Sequence, residues 1–429
     1  MTNPAAIKRE PNPLKRFLKM LGPGLITGAS DDDPSGIGTY AQAGAAIGFA
    51  GLWTALFTFP ISTVVQYICA KVGLVTGRGL AGVLRERFPR AVVVPAVIAL
   101  AIANTINVGV DIGAMAAGVN MLVPVPPTLI VVPVTVVILV VLVVGSYEII
   151  SRVFRWLTLA LLAYVGAAFF ARPDLGEVIR ATLLPTIRLE PTFVLTIQAI
   201  LGTTISPYLF FFQAEDEVET QISIGRRSIR QRKGATKDEL VFAGWDVAAG
   251  IGFSNVVMYF VILATAATLH ASGTTHVESA ADAARALQPL AGDASGVLFA
   301  IGIIGSGFLA VPILAASASY ALAEVFRWKR GLDEKPYRAK RFYAVIAASM
   351  GVGVLVNFLG INPIDALFWT AVINGFLAPP LLVLIMLIAN DRRVMGGRTN
   401  GPLTNAIGWL TAAAMAIAAV AWIVLSLAG

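Results

Sequence analysis

"ITGASDDDPSGIGTY", Ile26 to Tyr40, sets three consecutive aspartates between two apolar half-segments and follows them with Pro34, Gly36 and Gly38. Pro34 has no backbone N–H, and its ring disfavours helical geometry at Asp33. The two glycines add backbone freedom. The flanks, Leu21 to Ala29 and Ile37 to Leu52, read as membrane helix. The stretch therefore predicts one membrane helix broken near its middle. Broken backbone is tolerated in lipid only where it packs in protein or lines a cavity. Carbonyls freed at the end of the first half turn the negative end of its dipole toward the break, which suits a cation.

The remaining chain is equally apolar. Of 429 residues, 57% are hydrophobic and 13% are charged, roughly half the charge of an ordinary soluble domain. Apolar runs long enough to cross a bilayer recur from end to end. Eleven spans are read, at 18–45 (interrupted), 49–72, 92–122, 128–147, 153–171, 192–214 (interrupted), 241–269, 295–323, 342–359, 364–389 and 404–427. The alternation of outer-membrane barrel strands is absent. The fold class is an all-α polytopic membrane protein.

A net charge of +7 is explained by topology rather than by nucleic acid. With the N-terminus in the cytoplasm, 28 of the 32 Lys and Arg fall in inner segments, and only Arg172, Arg180, Arg188 and Arg285 lie outside. The positive-inside rule then places the N-terminus in the cytoplasm and the C-terminus outside. Residues 1–17 are polar and basic and read as a cytoplasmic N-terminal segment, with no removable signal peptide. Compact loops suggest the cell inner (plasma) membrane. Cys69 is the single cysteine, so neither an internal disulfide nor a cysteine-based metal centre is expected.

This count assigns every Lys and Arg to a loop, including Lys19, Lys71 and Arg155 at span ends, yet Asp31, Asp32, Asp33, Asp111 and Asp246 lie within the spans and Asp365 lies at an edge. Each mid-membrane acid costs roughly 2.5–3.5 kcal/mol to insert. Protons, water-filled vestibules or bound cations must offset that cost. Asp31 and Asp32 either face a solvated cavity with no specific role or line a vestibule or proton route. Asp33, beside Pro34, is the candidate ligand.

A second break is read in "LGTTISPYLFFFQAEDEVE", Leu201 to Glu219, where Thr203, Thr204 and Ser206 precede Pro207. Taken alone, it reads equally as a proline kink. It opens a second set of five spans, however, and matched interruptions in two halves point to a transporter site at the midplane. Asn104, Asn107 and Asp111 share one face of span 3. Thr54, Thr58, Ser62 and Gln66, four apart on span 2, read as helix packing. Asn374, in "VINGFLAPP", sits beside a further expected irregularity and either coordinates or packs. Asp246 and Asn255 on span 7 either hydrogen-bond to the broken helices or relay protons. Glu215, Asp216, Glu217 and Glu219 read as a solvated helix end, or as a vestibule that attracts cations. A membrane hydrolase needs two converging carboxyls, whereas consecutive aspartates fan around a helix, so no enzyme is expected.

"GPGLITGASDDDPSG" (Gly22 to Gly36), "AQAG" (Ala41 to Gly44), "QYICAKVGLVTGRGLA" (Gln66 to Ala81) and the break at Pro207 resemble the NRAMP family of divalent-metal transporters over most of spans 1 to 10. The resemblance implies a leucine-transporter-type fold with two inverted five-helix repeats, 18–171 and 192–389, plus an eleventh helix at 404–427, with helices 1 and 6 broken. By position it implies that Asp33 is the metal-binding aspartate. Gly36 falls where the family has a coordinating Asn, Thr203 where an Ala offers its carbonyl, and Ser206 where a Met offers sulfur. Tyr208 and Gln213 fall where two histidines handle protons, and Asp111 matches an acid on the proton route.

The departures matter chemically. A thioether favours transition metals, and its loss leaves oxygen donors suited to Mg²⁺ or Mn²⁺. Gly36 leaves room for the waters that Mg²⁺ keeps. The chain thus resembles the divergent branch of NRAMP-related magnesium transporters. Its two histidines, His270 and His276, lie near the outer end of span 7, which weakens proton coupling, although aspartates alone could couple.

The expected function is uptake of Mn²⁺ and/or Mg²⁺ by alternating access. The expected oxygen-lined site comprises Asp33, Gly36, Thr203, Ser206 and Asn374, with Asp31, Asp32, Asp111, Tyr208, Gln213 and Asp246 along a vestibule or proton route. Two charges crossing 100 mV gain roughly 4.6 kcal/mol. The metal is cargo and no cofactor is expected. The expected partners are divalent ions and the bilayer, without nucleic acid, and the expected functional unit is the monomer. The alternatives are a proton-coupled Mn²⁺/Fe²⁺ importer of standard NRAMP type and a leucine-transporter-fold carrier of another solute. Three aspartates would repel a carboxylate substrate.

Overall fold

The computed structural model describes residues 11–12, 15–16, 21–144, 159–332 and 334–428, and these contain helices and no strand. The end of span 4 (145–147), the start of span 5 (153–158), the start of span 1 (18–20) and most of the N-terminal segment lie outside the described residues.

In chain order the helices begin with α1 (Pro23–Asp31), α2 (Pro34–Ile47), α3 (Trp53–Thr76), α4 (Leu80–Arg87), α5 (Arg90–Leu122) and α6 (Pro127–Val144). They continue with α7 (Ala163–Phe170), α8 (Leu175–Leu183), α9 (Pro191–Thr204), α10 (Pro207–Ser223), α11 (Ile229–Arg232) and α12 (Lys237–Thr268). The remainder are α13 (Ala280–Arg285), α14 (Gln288–Ala291), α15 (Ser295–Phe326), α16 (Lys340–Val356), α17 (Pro363–Ala389), α18 (Arg392–Met395) and α19 (Pro402–Ala428). Seven stretches among the described residues are long and apolar enough to cross a membrane. The broken pair α1–α2, the shorter apolar helices α6 and α7, and α16 complete the set read from sequence. Leu129 and Val136 on α6, Ile102 on α5 and Leu410 and Ile417 on α19 are exposed. A face this apolar belongs against lipid.

Small residues let the interior helices approach at backbone distance. A Cβ added to Gly28 of α1 would stand 2.1 Å from the carbonyl carbon of Gly250 on α12. One added to Gly202 of α9 would stand 2.0 Å from the carbonyl oxygen of Ala371 on α17. These two seams fasten α1 and α9, the half-helices that end at the breaks.

Two expectations are corrected here. The irregularity expected beside Asn374 is absent, because α17 runs unbroken through Pro379 and Pro380. Packed neighbours can re-satisfy the carbonyls that such prolines free. Lys71, counted with an inner loop, is buried on α3, where its ammonium donates to Asn400 Oδ1 at 2.6 Å.

Candidate functional site

The two interruptions have the same local construction. After α1, Asp32 leaves helical geometry (φ −84°, ψ 49°), Asp33 is extended (φ −66°, ψ 167°), and Pro34 starts α2. After α9, Ile205 leaves it (φ −118°, ψ 57°), Ser206 is extended (φ −77°, ψ 130°), and Pro207 starts α10. In both, proline supplies a first helical residue that needs no N–H partner and bars helical geometry before it.

The breaks meet. A Cβ on Gly36 would lie 3.0 Å from the Asp31 carbonyl oxygen, 3.3 Å from Thr203 Oγ1 and 3.4 Å from Asp33 Oδ1. Tyr208, one residue past Pro207, donates its hydroxyl to the Ser30 carbonyl at 2.9 Å and lies 3.4 Å from Asp33 Oδ2. Thus Asp33, Gly36, Thr203 and Tyr208 converge. Asp33 caps α2 by accepting from Gly36 N at 2.6 Å, and its other oxygen accepts from Asn107 Nδ2 at 3.2 Å. Ser206 donates to the carbonyls of Gly202 (2.9 Å) and Thr203 (2.6 Å). Each of these carbonyls keeps a second lone pair.

Asp111 stands behind Asp33 on α5 and accepts from Ser35 N at 3.1 Å. Asp31 and Asp32 share the hydroxyl of Ser254 on α12, at 2.7 and 3.1 Å. Asp31, Asp32, Asp33 and Asp111 are all buried, and Asp31 Oδ1, Asp32 Oδ2, Asp111 Oδ2 and Asn107 Oδ1 have no hydrogen-bond partner among the described residues. Buried acceptors left this way are costly. A region with surplus acceptors and no Lys or Arg facing it among the described residues can stabilise a cation. No group of three or more His, Cys, Asp or Glu gathers as a metal cage among the described residues. What gathers instead is one carboxylate with hydroxyls, an amide and backbone carbonyls, all oxygen chemistry of the hard kind.

Other sequence candidates lie elsewhere. Asn374 is buried on α17, the helix seamed to Gly202, and is not among the hydrogen-bond partners of Asp33. Gln213 lies further along α10 and donates to Glu217 at 3.3 Å. Asp246 accepts from Gly22 N and Gly24 N at 2.7 Å and Leu25 N at 3.1 Å, so it caps the first turn of α1. Ser254 and Ser35 were missed as site residues, since single serines are common in membrane helices. Asn107 was visible only as part of a stripe.

The acidic run on α10 is not a solvated helix end, because Glu215 and Glu217 are buried. Arg330 binds Glu215 at 2.9 Å and Glu324 at 2.7 Å. Glu324 also accepts from Gly79 N (3.0 Å) and Gly82 N (2.8 Å), and Tyr320 donates to Glu219 at 3.0 Å. The network ties α4, α10 and α15 together at one end of the molecule. Burial works against the charge on Arg330, but the carboxylates of Glu215 and Glu324 outweigh it and hold that pKa above its ordinary value.

A family model described as "Natural resistance-associated macrophage protein-like" matches residues 24–425. The divalent metal cation transporter MntH of Aeromonas hydrophila is 28% identical over 413 residues, spanning 94% of each chain. The solved Eremococcus coleocola manganese transporter aligns with a TM-score of 0.72 at 18% identity, covering 97% of this chain and 87% of that one. Mhp1, of the nucleobase-cation-symport-1 family, aligns with a TM-score of 0.60 at 15% identity, covering 94% of this chain and 91% of that one. At these identities both structures speak for the fold, which is the leucine-transporter type with two inverted five-helix repeats, an eleventh helix, and helices 1 and 6 broken. The molecule is a membrane transporter and not an enzyme. Since the family match runs over nearly the whole chain, this protein belongs to the NRAMP family of divalent-metal transporters.

Proposed function

We propose that the chain moves Mn²⁺ and/or Mg²⁺ into the cytoplasm by alternating access, and that the ion is held partly hydrated between the breaks at Asp33 and Ser206. The observation that carries this reading is the donor set. Asp33, the Thr203 hydroxyl and the Asp31 carbonyl surround the position of Gly36, and each offers oxygen. Ser206 stands in the second break, where the family's thioether falls by resemblance. The sulfur of Met258 is engaged by the hydroxyls of Thr58 and Thr204. Glycine at position 36 lets these oxygens close in where a Cβ would already crowd them, and Mg²⁺ sheds water reluctantly. The divalent-metal and manganese transporters it resembles support the general cargo class. The excess of Lys and Arg in alternate loops supports a multi-pass topology in the inner (plasma) membrane with the N-terminus inside and the C-terminus outside. The monomer is the functional unit in this proposal, and the membrane potential drives uptake.

The test is Mn²⁺ uptake into proteoliposomes challenged with Mg²⁺, Ca²⁺, Fe²⁺ and Cd²⁺. Strong competition by Mg²⁺ with weak competition by Cd²⁺ is the expected result. Strong Cd²⁺ competition without Mg²⁺ competition overturns the oxygen-donor reading. Acidification of the lumen during uptake would identify the proton-coupled importer instead.

A further inference from the structure

A cavity of about 400 Å³ opens where three loops meet, at the end of the molecule rich in Lys and Arg. Its charged lining is Arg78, Arg87, Lys233 and Arg393, with Glu86 as the acid. Arg78 pairs with Glu86, and Arg87 pairs with Asp391. Lys233 and Arg393 make no ion pair within 4 Å among the described residues, although Arg393 lies in the field of Asp391. Counting Asp391, the surroundings carry a net charge of two positive. Val83, Ile229 and Val394 supply an apolar wall.

The surrounding loops are fastened to one another. Arg232 Nε donates to the Gly77 carbonyl at 3.2 Å, and Gly234 N donates to the Val75 carbonyl at 2.8 Å, which fixes Lys233 between them. Gly77 adopts φ +66°, and its close contact with Arg232 leaves no space for a Cβ. The Lys71–Asn400 hydrogen bond and the Arg87–Asp391 pair join the same region to the loop carrying α18. Arg393 N accepts its place in that loop by donating to Asp391 Oδ1 at 2.8 Å. Two cations without a salt bridge among the described residues thereby line one cavity with an apolar wall. Structural ion pairing does not account for Lys233 and Arg393, and both guanidinium and ammonium groups bind phosphate oxygens well.

We infer that this cavity binds a phosphate-bearing anion, held by Lys233 and Arg393 and flanked by Arg78 and Arg87. It would bridge a first-repeat loop with the loops that follow α10 and α17. Two sources share this chemistry, the headgroup of an anionic lipid and a soluble phosphate. The apolar wall and the position at the ends of membrane helices favour the lipid.

Native mass spectrometry of the full-length protein in detergent tests the inference, with phosphatidylglycerol, phosphatidylethanolamine, ATP and inorganic phosphate offered separately. Phosphatidylglycerol should be retained in preference to zwitterionic phosphatidylethanolamine. The double variant Lys233→Ala with Arg393→Ala should bind it roughly tenfold more weakly, and the pair Lys233→Arg with Arg393→Lys should restore binding. Val394→Trp, which fills the cavity without removing charge, gives an independent arm should the double variant fold poorly. Binding of ATP or inorganic phosphate with the same dependence on these residues supports the site and assigns it to a soluble anion. If no phosphate-bearing compound binds, or if binding is indifferent to both the charge and the filling variants, the inference is wrong.

Discussion

Asp33→Asn separates the charge at the first break from the fold it supports. Asparagine caps helices about as well as aspartate, so the bond from Gly36 N at 2.6 Å is retained at the start of α2. The second oxygen becomes an NH₂ group facing Asn107 Nδ2 and the Tyr208 hydroxyl. Asn107 can turn its amide, because its Oδ1 has no partner among the described residues, and Tyr208 keeps its bond to the Ser30 carbonyl. The fold should therefore lose no more than ~1 kcal/mol. The cation loses far more. A doubly charged ion one water away from a carboxylate, about 5.5 Å, gains roughly 1.5 kcal/mol at the dielectric of bulk water and roughly 6 kcal/mol at an effective constant near 20. Even the lower figure is about tenfold in affinity. Calorimetric titration with Mn²⁺ and Mg²⁺ should show at least this loss for both ions, while the thermal midpoint stays near that of the parent. An Asp33→Asn protein that binds both ions within about threefold of the parent, with its stability intact, would refute the placement of the cation at this break.

Gly36→Asn should shift the ratio of Mn²⁺ to Mg²⁺ uptake by roughly tenfold toward Mn²⁺, because its Cβ already crowds the Asp31 carbonyl, the Thr203 hydroxyl and Asp33, and the added amide takes the place of water that Mg²⁺ retains. Parallel uptake of the two ions checks this, and an unchanged ratio counts against a hydrated site. Gly28→Val puts side-chain atoms into the backbone of Gly250 and should cost ~1–3 kcal/mol or more, whereas Gly351→Ala, with nothing within 4 Å, should leave the melting temperature almost unmoved. Arg330→Met strands two carboxylates that are 3% and 4% exposed, and the fold should lose roughly 3–5 kcal/mol, part of which Glu215→Gln should recover in the double variant. Thermal unfolding of the four proteins measures the coupling.

The interruptions were legible because they are local. Pro34 and Pro207 lack an N–H and restrict the residue before them, and no partner elsewhere in the chain can change that. The apolar lengths and the crowding of Lys and Arg into alternate loops were likewise properties of short windows. Pro379 and Pro380 show where the local rule stops, since α17 continues through both. The same proline chemistry breaks a helix or leaves it whole according to what surrounds it.

What the sequence by itself determined is a membrane-spanning helical chain with two weak points and an excess of buried acid. Only the tertiary structure decided which oxygens share a space. Asn107, Tyr208 and Ser254 reach the aspartates from α5, α10 and α12. Asp246, read as a hydrogen-bond partner or a proton relay, caps α1 across more than two hundred residues of chain. Glu215 and Glu217, read as a solvated end or a vestibule, are buried, and Glu215 is ion-paired. Proline's missing N–H and its restriction of the preceding residue are written in covalent geometry one residue away, whereas a carboxylate's environment depends on helices far apart in the chain, and no window of sequence contains those distances.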